Sequence, residues 1–332
     1  MEFGTILMWR DDAAVFRGRI SRAEALGFGL IGVGDSPNGY RELEVSMTVA
    51  VESTTRAKVA SMVAVPVGRH PANAASALSA LQELSGGRIV CGIGTGASAA
   101  AALGRAAFTL PQLGEYVKVL RALLHGESAT WEGDTIPALH DPRPVPILLS
   151  AYGPAGRRLA GRSFDGVVLP TGASVPIAHS YMHDVRSAAE KAGRDPRLLA
   201  VWVMSRAAVR DSRTEALADI KANLASAGAF GLKPAAQVET VPADLRPALL
   251  ELQRRYDATE HVVWDGPNAR LLDELGLTDY LAERFAIAGT PDECRAQAAG
   301  LEAAGVTHIV VPAVDADPDG LIERFAGAMR TP

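Results

Sequence analysis

Cysteine is scarce in this sequence, with only Cys91 and Cys294 among 332 residues. Two cysteines are too few for a disulfide framework, and neither has a second cysteine or a histidine at the spacing of metal ligands. The sequence therefore predicts neither a disulfide-stabilised fold nor a metal site.

An excess of basic charge and long apolar runs are also missing. Lys and Arg number 33 against 38 Asp and Glu, a net charge of −5. Without a basic cluster, binding to nucleic acid or to an anionic membrane is not expected. The sequence contains no run of about 18 apolar residues, the length that spans a bilayer. The start of the chain lacks a signal-peptide pattern. We expect a cytoplasmic protein.

What is present is a repeated pattern of an amphipathic helix, a glycine and a short apolar run. In its clearest instance Thr290 to Glu293 combine an N-cap, a proline at the first helical position and a capping-box glutamate. Gly305 ends that helix before the strand His308–Val311. Other helices are expected over about 12–26, 71–84 and 153–161.

Eight apolar runs are predicted to be strands. Most are apolar on both faces, which favours parallel strands covered by helices. Eight strand–helix units fit a (β/α)8 TIM barrel better than two domains. We therefore predict a single α/β barrel domain over residues 1–332. The predicted strands are Glu2–Leu7, Leu30–Val33, Lys58–Val63, Arg88–Ile93, Val145–Ser150, Gly166–Leu169, Leu199–Ser205 and His308–Val311.

Two segments interrupt this pattern. Residues 127–146 hold four prolines and are predicted to be a loop between half-barrels. Residues 228–285 are predicted to be a helical insertion before the last strand, with helices over Pro247–Tyr256 and Leu271–Glu283. We expect the insertion to shape a substrate entrance or a subunit contact.

In a parallel barrel the functional groups lie in the loops that follow the strands. Ser150, Ala151, Tyr152 and Gly153 come directly before a predicted helix, whose free N–H groups and dipole favour a phosphate. Thr171 and Gly172, one unit later, could complete such a site. An ordinary strand-to-helix turn explains the same residues.

A glycine motif follows the fourth predicted strand. Gly92, Gly94 and Ala97 form G-x-G-x-x-A, a variant of the dinucleotide fingerprint, and Glu115 lies near the position of a ribose-binding acid. An NAD-dependent dehydrogenase is therefore one alternative. However, that motif should open its domain, and here three strands precede it. We expect instead that Gly94, Thr95 and Gly96 let a planar ring approach the backbone.

Few side chains suggest catalysis, and no G-x-S-x-G, H-E-x-x-H or Walker A motif is present. Asp35 is a carboxylate at the end of an apolar strand, which indicates a functional role, although a turn cap would also explain it. His70 precedes Pro71 at a helix start and is better explained as a cap or a packing group than as a base. Asp35, Tyr40 and His70 are our candidate proton donors.

Three segments carry a family resemblance. The sequences VPVGRHP, ELSGGR and GIGTG, at 65–71, 83–88 and 92–96, resemble the bacterial-luciferase-like oxidoreductases. The branch that includes methylenetetrahydromethanopterin reductase, which uses coenzyme F420, is the most similar. Further matches lie at Gly27-Phe28, Asp35, Ala151–Pro154, Asp165-Gly166 and Gly289–Glu293.

The resemblance implies a barrel, usually homodimeric, that binds F420 or FMN at the carboxyl ends of its strands. It implies that Ser150–Gly153 and Thr171-Gly172 hold the cofactor phosphate and that Asp35 lies near the cofactor. It also implies a bulge with a non-proline cis peptide at Met62–Val63, beside Ala64 and under the ring.

The sequence departs from the family at positions that handle protons. Ser36 stands where sugar- and alcohol-oxidising members have histidine, Tyr40 where they have tryptophan, and Ala97 where they have an acid. Ile6 replaces a glutamate of the reductase branch, and Val65 an asparagine that is frequent there. The substrates of the family therefore do not carry over.

The function expected is hydride transfer between F420, or FMN, and a small organic substrate. One alternative is a monooxygenase that takes reduced FMN from a separate reductase. Another is a barrel that binds the cofactor without turnover, which the missing acids at Ile6 and Ala97 favour.

Overall fold

A computed structural model describes residues 1–170, 172–260, 263, 265–314 and 317–330. Within that part of the chain, eight parallel strands form a closed barrel in the order β1-β12-β9-β8-β7-β4-β3-β2. The barrel strands are β1 (Glu2–Leu7), β2 (Leu30–Val33), β3 (Lys58–Ala64), β4 (Ile89–Ile93), β7 (Ile147–Ser150), β8 (Gly166–Leu169), β9 (Ala200–Met204) and β12 (His308–Pro312). The remaining strands are β5 (Ala129–Trp131), β6 (Asp134–Ile136), β10 (Arg206–Val209) and β11 (Ala286–Gly289).

Helices follow most of the strands along the chain. They are α1 (Ala13–Ala25), α2 (Leu43–Glu52), α3 (Pro71–Leu84), α4 (Ala97–Ala102), α5 (Leu110–Leu124), α6 (Pro154–Ser163), α7 (Val175–Lys191), α8 (Arg213–Ser226), α9 (Ala235–Val238), α10 (Arg246–Arg255), α11 (Pro267–Glu274), α12 (Thr278–Phe285), α13 (Pro291–Ala303) and α14 (Pro318–Met329). The predicted (β/α)8 barrel is confirmed, and each predicted barrel strand overlaps an observed one.

Local signals explain where several helices begin and end. Thr290 and Glu293 form both hydrogen bonds of the predicted capping box at the start of α13. Gly305, with φ of 93°, follows the end of that helix in the left-handed region that favours glycine. A second capping box, Thr109 with Gln112, starts α5. These elements are therefore encoded by short stretches of sequence.

Two predicted details are wrong, and one small sheet was not predicted. Residues 127–146 are not all loop, because β5 and β6 pair antiparallel as a hairpin whose turn places Gly133 at φ of 94°. The predicted helix Leu271–Glu283 is two helices, α11 and α12, because Gly276 adopts φ of 64° between them. The parallel pair β10 and β11 was not expected as a separate sheet.

The described chain divides into two compact units. One comprises Gly4–Ser150 and Phe164–Gly166, and the other Met1–Phe3, Ala151–Ser163 and Val167–Pro332. In the first unit β1 to β4 pair in parallel, and the register of β3 with β4 shifts between Ser61 and Ala64. In the second unit a large apolar core joins α8 to α10, α11 and α12.

None of the helices in the described part of the chain combines the length and the apolar character needed to cross a bilayer.

Candidate active site

Asp35 lies just beyond the end of β2, in the first unit. Its Oδ2 accepts a hydrogen bond of 2.8 Å from the N–H of Val65 and one of 2.6 Å from Nη1 of Arg69. The carboxylate is only 5% exposed. Burial raises the pKa of Asp35 above its usual value, against the lowering effect of the Arg69 charge and the Val65 N–H. Asp35 is thus a fixed, buried carboxylate at a strand end.

Arg69 contacts two further carboxylates besides Asp35. Its Nη2 lies 2.7 Å from Oε1 of Glu42, and its Nε lies 2.8 Å from Oε1 of Glu44. Three carboxylates around one guanidinium leave an excess of negative charge, which favours retention of a proton by one of them. This cluster holds the segment after β3 against the loop after β2.

The retained proton is shared by the pair Glu42 and Glu44. Burial and a hydrogen bond to Glu42 raise the pKa of Glu44 to about 7. Burial also opposes ionisation of Glu42, but hydrogen bonds from Glu44, the Val45 N–H and Arg69 lower the pKa of Glu42 to about 2. The pair therefore changes its charge near neutral pH, through Glu44.

Tyr40 is placed by a turn that begins at Ser36, whose carbonyl accepts the Tyr40 N–H at 2.9 Å. The ring lies so close to Gly34 that a Cβ there would stand 3.0 Å from Cε2 of Tyr40. The guanidinium of Arg10 lies 5.0 Å from the ring centroid. Asp35 and Tyr40 thus share the loop after β2, and Tyr40 has a cation over its ring.

The ends of β3 and β4 present backbone with few side chains. The peptide Met62–Val63 is cis, where the resemblance implied it, at the register shift that precedes Ala64. A Cβ on Gly94 would lie 3.1 Å from Cγ2 of Val63, and the Gly94 N–H donates to the Ala64 carbonyl at 3.2 Å. Gly94 therefore leaves backbone uncovered beside the bulge.

Gly92 has a different role from that of a dinucleotide motif. It lies inside β4, and a Cβ there would overlap the carbonyl oxygen of Ser61 on β3. Ser61 Oγ also donates to the Gly92 carbonyl at 2.8 Å. Gly92 thus permits close approach of two barrel strands and does not form a phosphate-binding turn.

His70 is the N-cap of α3. Its Nδ1 accepts the Ala72 N–H at 3.2 Å, and its side chain is exposed. The ring nitrogen that serves as the cap acceptor cannot at the same time take a proton from a substrate. The observed hydrogen bond is the one expected if His70 caps the helix, which was the interpretation preferred from the sequence.

Of the predicted phosphate loop, Ser150 ends β7 in the first unit, and Ala151, Tyr152 and Gly153 lie in the second unit before α6. Ala151 donates its N–H to the Val168 carbonyl at 3.0 Å. The Tyr152 carbonyl accepts two side-chain hydrogen bonds, of 3.0 Å from Nη1 of Arg157 and 2.6 Å from Nε2 of Gln237. A Cβ on Gly153 would meet no atom within 4 Å, so the loop is open at that residue.

The second predicted loop follows β8. Thr171 lies outside the described residues. Gly172 is buried, and a Cβ there would stand 3.4 Å from the Arg284 carbonyl oxygen. The neighbouring Ala173 donates its N–H to that carbonyl at 2.7 Å. The Arg284 carbonyl thus holds this loop in place through the Ala173 N–H.

Several residues of these sites were missed in the sequence. Arg69 lies in the segment VPVGRHP, which carried the family resemblance. A charged residue in this glycine- and proline-containing loop was the signal that could have identified it. Gln237, Arg157 and Arg284 had no recognisable signal, because long-range folding brings them to Tyr152 and Gly172. Among the described residues no group of three or more His, Cys, Asp or Glu side chains is arranged to hold a metal ion.

The sequence matches a known protein family over most of its length, and the barrel fold matches solved structures. The family described as luciferase-like monooxygenase matches residues 1–308. The chain belongs to this family. The resemblance inferred from the sequence is therefore confirmed.

Among curated members with similar sequences is 5,10-methylenetetrahydromethanopterin reductase of Methanolobus tindarius, 29% identical over 327 residues, 93% of each chain. F420-dependent glucose-6-phosphate dehydrogenase of Intrasporangium calvum is 27% identical over 328 residues, 92% of this chain and 90% of its own.

Solved structures share the fold of this luciferase-like chain. The coenzyme F420 dependent tetrahydromethanopterin reductase of Methanopyrus kandleri superposes with a TM-score of 0.76 at 22% identity, covering 98% of this chain and 97% of its own. The oxygenating constituent of 3,6-diketocamphane monooxygenase from Pseudomonas putida, in complex with FMN, superposes with a TM-score of 0.66 at 18% identity. The match covers 98% of this chain and 96% of that one.

Proposed function

We propose that the chain is an oxidoreductase that transfers a hydride between coenzyme F420 and a small organic substrate, with FMN as the alternative cofactor. The observation that carries this is the family match over residues 1–308 together with curated relatives whose names specify F420 or a methanopterin substrate. When bound, either cofactor supplies the hydride chemistry itself, so the protein has to bind, orient and handle protons.

The cofactor phosphate is assigned to the loop Ser150, Ala151, Tyr152 and Gly153 with Thr171 and Gly172. The fit is supported by the Tyr152 carbonyl, which Arg157 and Gln237 hold on one side of the loop. Among the described residues no acceptor takes the Gly153 N–H. A free N–H at the start of α6 is the kind of donor that an anion binds.

The ring of the cofactor is assigned to Met62, Val63 and Ala64 with Gly94, Thr95 and Gly96. The lack of a side chain at Gly94 leaves backbone that a planar group can approach, whereas Gly96 is required by its φ of 77° and by the overlap that a Cβ there would make with Val65. This fit is to the shape of the backbone and holds for F420 and FMN alike.

Proton handling is assigned first to Asp35 and Tyr40, with His70 as a further candidate. Burial disfavours the ionised form of Asp35, while Arg69 and the Val65 N–H fix its orientation. A carboxyl group held in this way can take or give a proton without changing position. Tyr40 lies in the same loop and carries a hydroxyl.

We further propose a single-domain, cytoplasmic homodimer, on the strength of the family resemblance.

Fluorescence titration tests the cofactor assignment. The purified protein is titrated with F420 and with FMN separately, and we expect saturable binding of F420 in preference to FMN. Binding of FMN alone would move the proposal to the flavin, and binding of neither would overturn it. Loss of the absorbance of oxidised F420 then screens small alcohols as hydride donors, and recovery of that absorbance from reduced F420 screens aldehydes and imines as hydride acceptors.

A second function is a monooxygenase that uses reduced FMN delivered by a partner reductase. It is favoured by the family description and by the fold shared with an FMN complex. Oxygen consumption that requires both reduced FMN and an organic substrate would support it. Hydride transfer under strict exclusion of oxygen would support the F420 reaction instead.

A further inference from the structure

Gln237 is a buried amide at the centre of a polar cluster in the second unit. It lies on the short helix α9 of the inserted segment and is 2% exposed. Arg157, Tyr181 and Arg284 around it are at most 5% exposed. Polar side chains at this depth are retained only where their hydrogen bonds are made, so each bond of the cluster is informative.

The two sides of the Gln237 amide face opposite partners. Oε1 accepts from the Tyr181 hydroxyl at 3.1 Å and from Nη2 of Arg284 at 3.2 Å, while Nε2 donates to the Tyr152 carbonyl at 2.6 Å. A guanidinium can only donate and a carbonyl can only accept, so the chemistry of the partners fixes the orientation of the amide.

These bonds connect the two loops assigned to the phosphate. Ala173 donates to the Arg284 carbonyl at 2.7 Å, Arg284 donates to Gln237, and Gln237 donates to the Tyr152 carbonyl. Gln237 is the link between the loop at Tyr152 and the loop at Gly172. Removing its donor would leave the Tyr152 carbonyl with Arg157 alone.

The direction of the Tyr152 carbonyl decides the direction of the next N–H. In a planar trans peptide the two groups point to opposite sides. With the Tyr152 carbonyl turned towards Gln237 and Arg157, the Gly153 N–H points away from these two side chains. The cluster thereby presents a backbone donor at the start of α6.

The charge of the cluster also favours an anion. Arg157 is paired with Asp184 at 2.8 Å. Arg284, in contrast, donates only to neutral oxygens, of Tyr280, Gln237 and Thr240, and its Nε has no partner within the described part of the chain. A buried guanidinium without a carboxylate is costly on its own, and a nearby anionic ligand compensates it.

We propose that Gln237 is a positioning residue for the anionic group of the ligand: by holding the Tyr152 carbonyl it keeps the Gly153 N–H directed at that group, and through Arg284 it keeps the loop at Gly172 in register. The proposal rests on the proposed function, since it concerns the phosphate of F420 or FMN. It also assigns a role to the inserted segment, which would fix the phosphate loop through the hydrogen bond from Gln237 to the Tyr152 carbonyl.

The test compares the wild type with Gln237→Glu and Gln237→Met. Glutamate keeps an acceptor for Tyr181 and adds a charge that pairs with Arg284, but it has no donor for the Tyr152 carbonyl. We expect the thermal midpoint of Gln237→Glu to stay or rise, while its dissociation constants for F420, FMN and inorganic phosphate rise about tenfold. Gln237→Met lacks both the donor and the acceptor, so its thermal midpoint should fall and its dissociation constants should rise.

Two controls separate orientation from charge. Gln297→Glu adds the same charge at another amide, which donates to the Ala288 carbonyl, and should leave cofactor affinity unchanged. Gln237→Met adds no charge, so a loss of affinity shared by Gln237→Met and Gln237→Glu reflects orientation, and a loss confined to Gln237→Glu reflects charge.

The outcomes are distinct. If the wild type binds a cofactor and Gln237→Glu binds it equally well, the positioning role is wrong and the proposed function stands. If affinity and thermal midpoint fall together in Gln237→Glu, Gln237 is structural, and if Gln237→Met binds the cofactor as tightly as the wild type, Gln237 does not position the loop. If the wild type binds neither F420 nor FMN, the proposed function is wrong and the positioning role is wrong with it.

Discussion

Oδ2 of Asp35 and Nη1 of Arg69 lie 2.6 Å apart, and this ion pair joins the loop after β2 to the segment after β3. The same Oδ2 accepts the N–H of Val65, the residue that follows β3. Arg69 is held in turn by Glu42 and Glu44. The geometry of Asp35 therefore depends on a residue that belongs to no recognised catalytic motif.

Asp35→Asn removes the charge that pairs with Arg69 while keeping an oxygen for the Val65 N–H. We expect a loss of about 2 kcal/mol in the free energy of unfolding, limited because Arg69 keeps Glu42 and Glu44. If Asp35 handles a proton, kcat should fall by about 100-fold or more, the usual contribution of such a group. Urea unfolding and single-turnover rates measure the two effects. Ser36→Ala, next in the chain, is the control, and an unchanged kcat in Asp35→Asn would contradict the assigned role.

Glu44 gives stability a dependence on pH. Its pKa of about 7 in the folded protein lies above the usual 4.5, so between these values the folded protein binds more protons than the unfolded chain. The free energy of unfolding therefore falls as the pH rises through this range. Partial exposure reduces the effect to the order of 1 kcal/mol.

Glu44→Gln should remove this dependence, because the amide resembles the protonated acid at every pH. Relative to the wild type, the variant should gain stability as the pH rises from about 5 to 8. Urea unfolding at both values measures the difference. Glu24, whose pKa is lowered to about 2 and which is not bonded to Glu44, contributes stability that is lost only as the pH falls below 4.5, so Glu24→Gln should show no such gain. An equal difference at both pH values would show that Glu44 is ionised throughout.

Two glycines of the fourth strand should respond differently to alanine. In Gly92→Ala the new Cβ meets the Ser61 carbonyl of the neighbouring strand, and we expect a loss of about 3 kcal/mol or failure to fold. In Gly94→Ala the nearest atom is a methyl group of Val63 at 3.1 Å, which can shift. Gly94→Ala should fold and bind F420 or FMN about tenfold more weakly, because the ring loses its approach to the backbone. Equal affinity for Gly94→Ala and the wild type would place the ring elsewhere.

His70 offers a test between capping and catalysis. His70→Ala removes the acceptor for the Ala72 N–H and should cost about 1 kcal/mol of stability. His70→Asn restores a side chain that caps helices well and should restore stability. If capping is the role of His70, His70→Asn also keeps kcat, whereas a loss of kcat at full stability would show that the imidazole takes part in the reaction. Thermal unfolding and steady-state rates decide.

Much of the fold could be predicted because its signals are local. Pro71–Leu84 was predicted with the observed bounds of α3, and Thr290 with Glu293 was predicted as the observed capping box. The hairpin β5–β6 was missed because its strands have three residues each and lie in a proline-rich segment. The break at Gly276 was missed because a glycine within a helical pattern is tolerated often enough to be ambiguous.

The candidate site was only half visible in the sequence. Asp35 and the glycines could be found because strand ends carry function in parallel barrels. The partners Arg69, Glu42 and Glu44 could not be assigned to it, because nothing in their spacing tells which carboxylate a guanidinium chooses. Gln237 lies 85 residues from the carbonyl that it holds.

The sequence by itself determined the alternation of strands and helices, the helix caps and the family, since these depend on periodicity and on short motifs. Only the tertiary structure decided that Asp35 is buried against Arg69, that Gly92 serves strand contact while Gly94 leaves backbone bare, and that Gln237 links two loops. Those properties come from which distant groups share a low-dielectric interior, and hydrogen-bond partners and pKa values are set there rather than by neighbours in sequence.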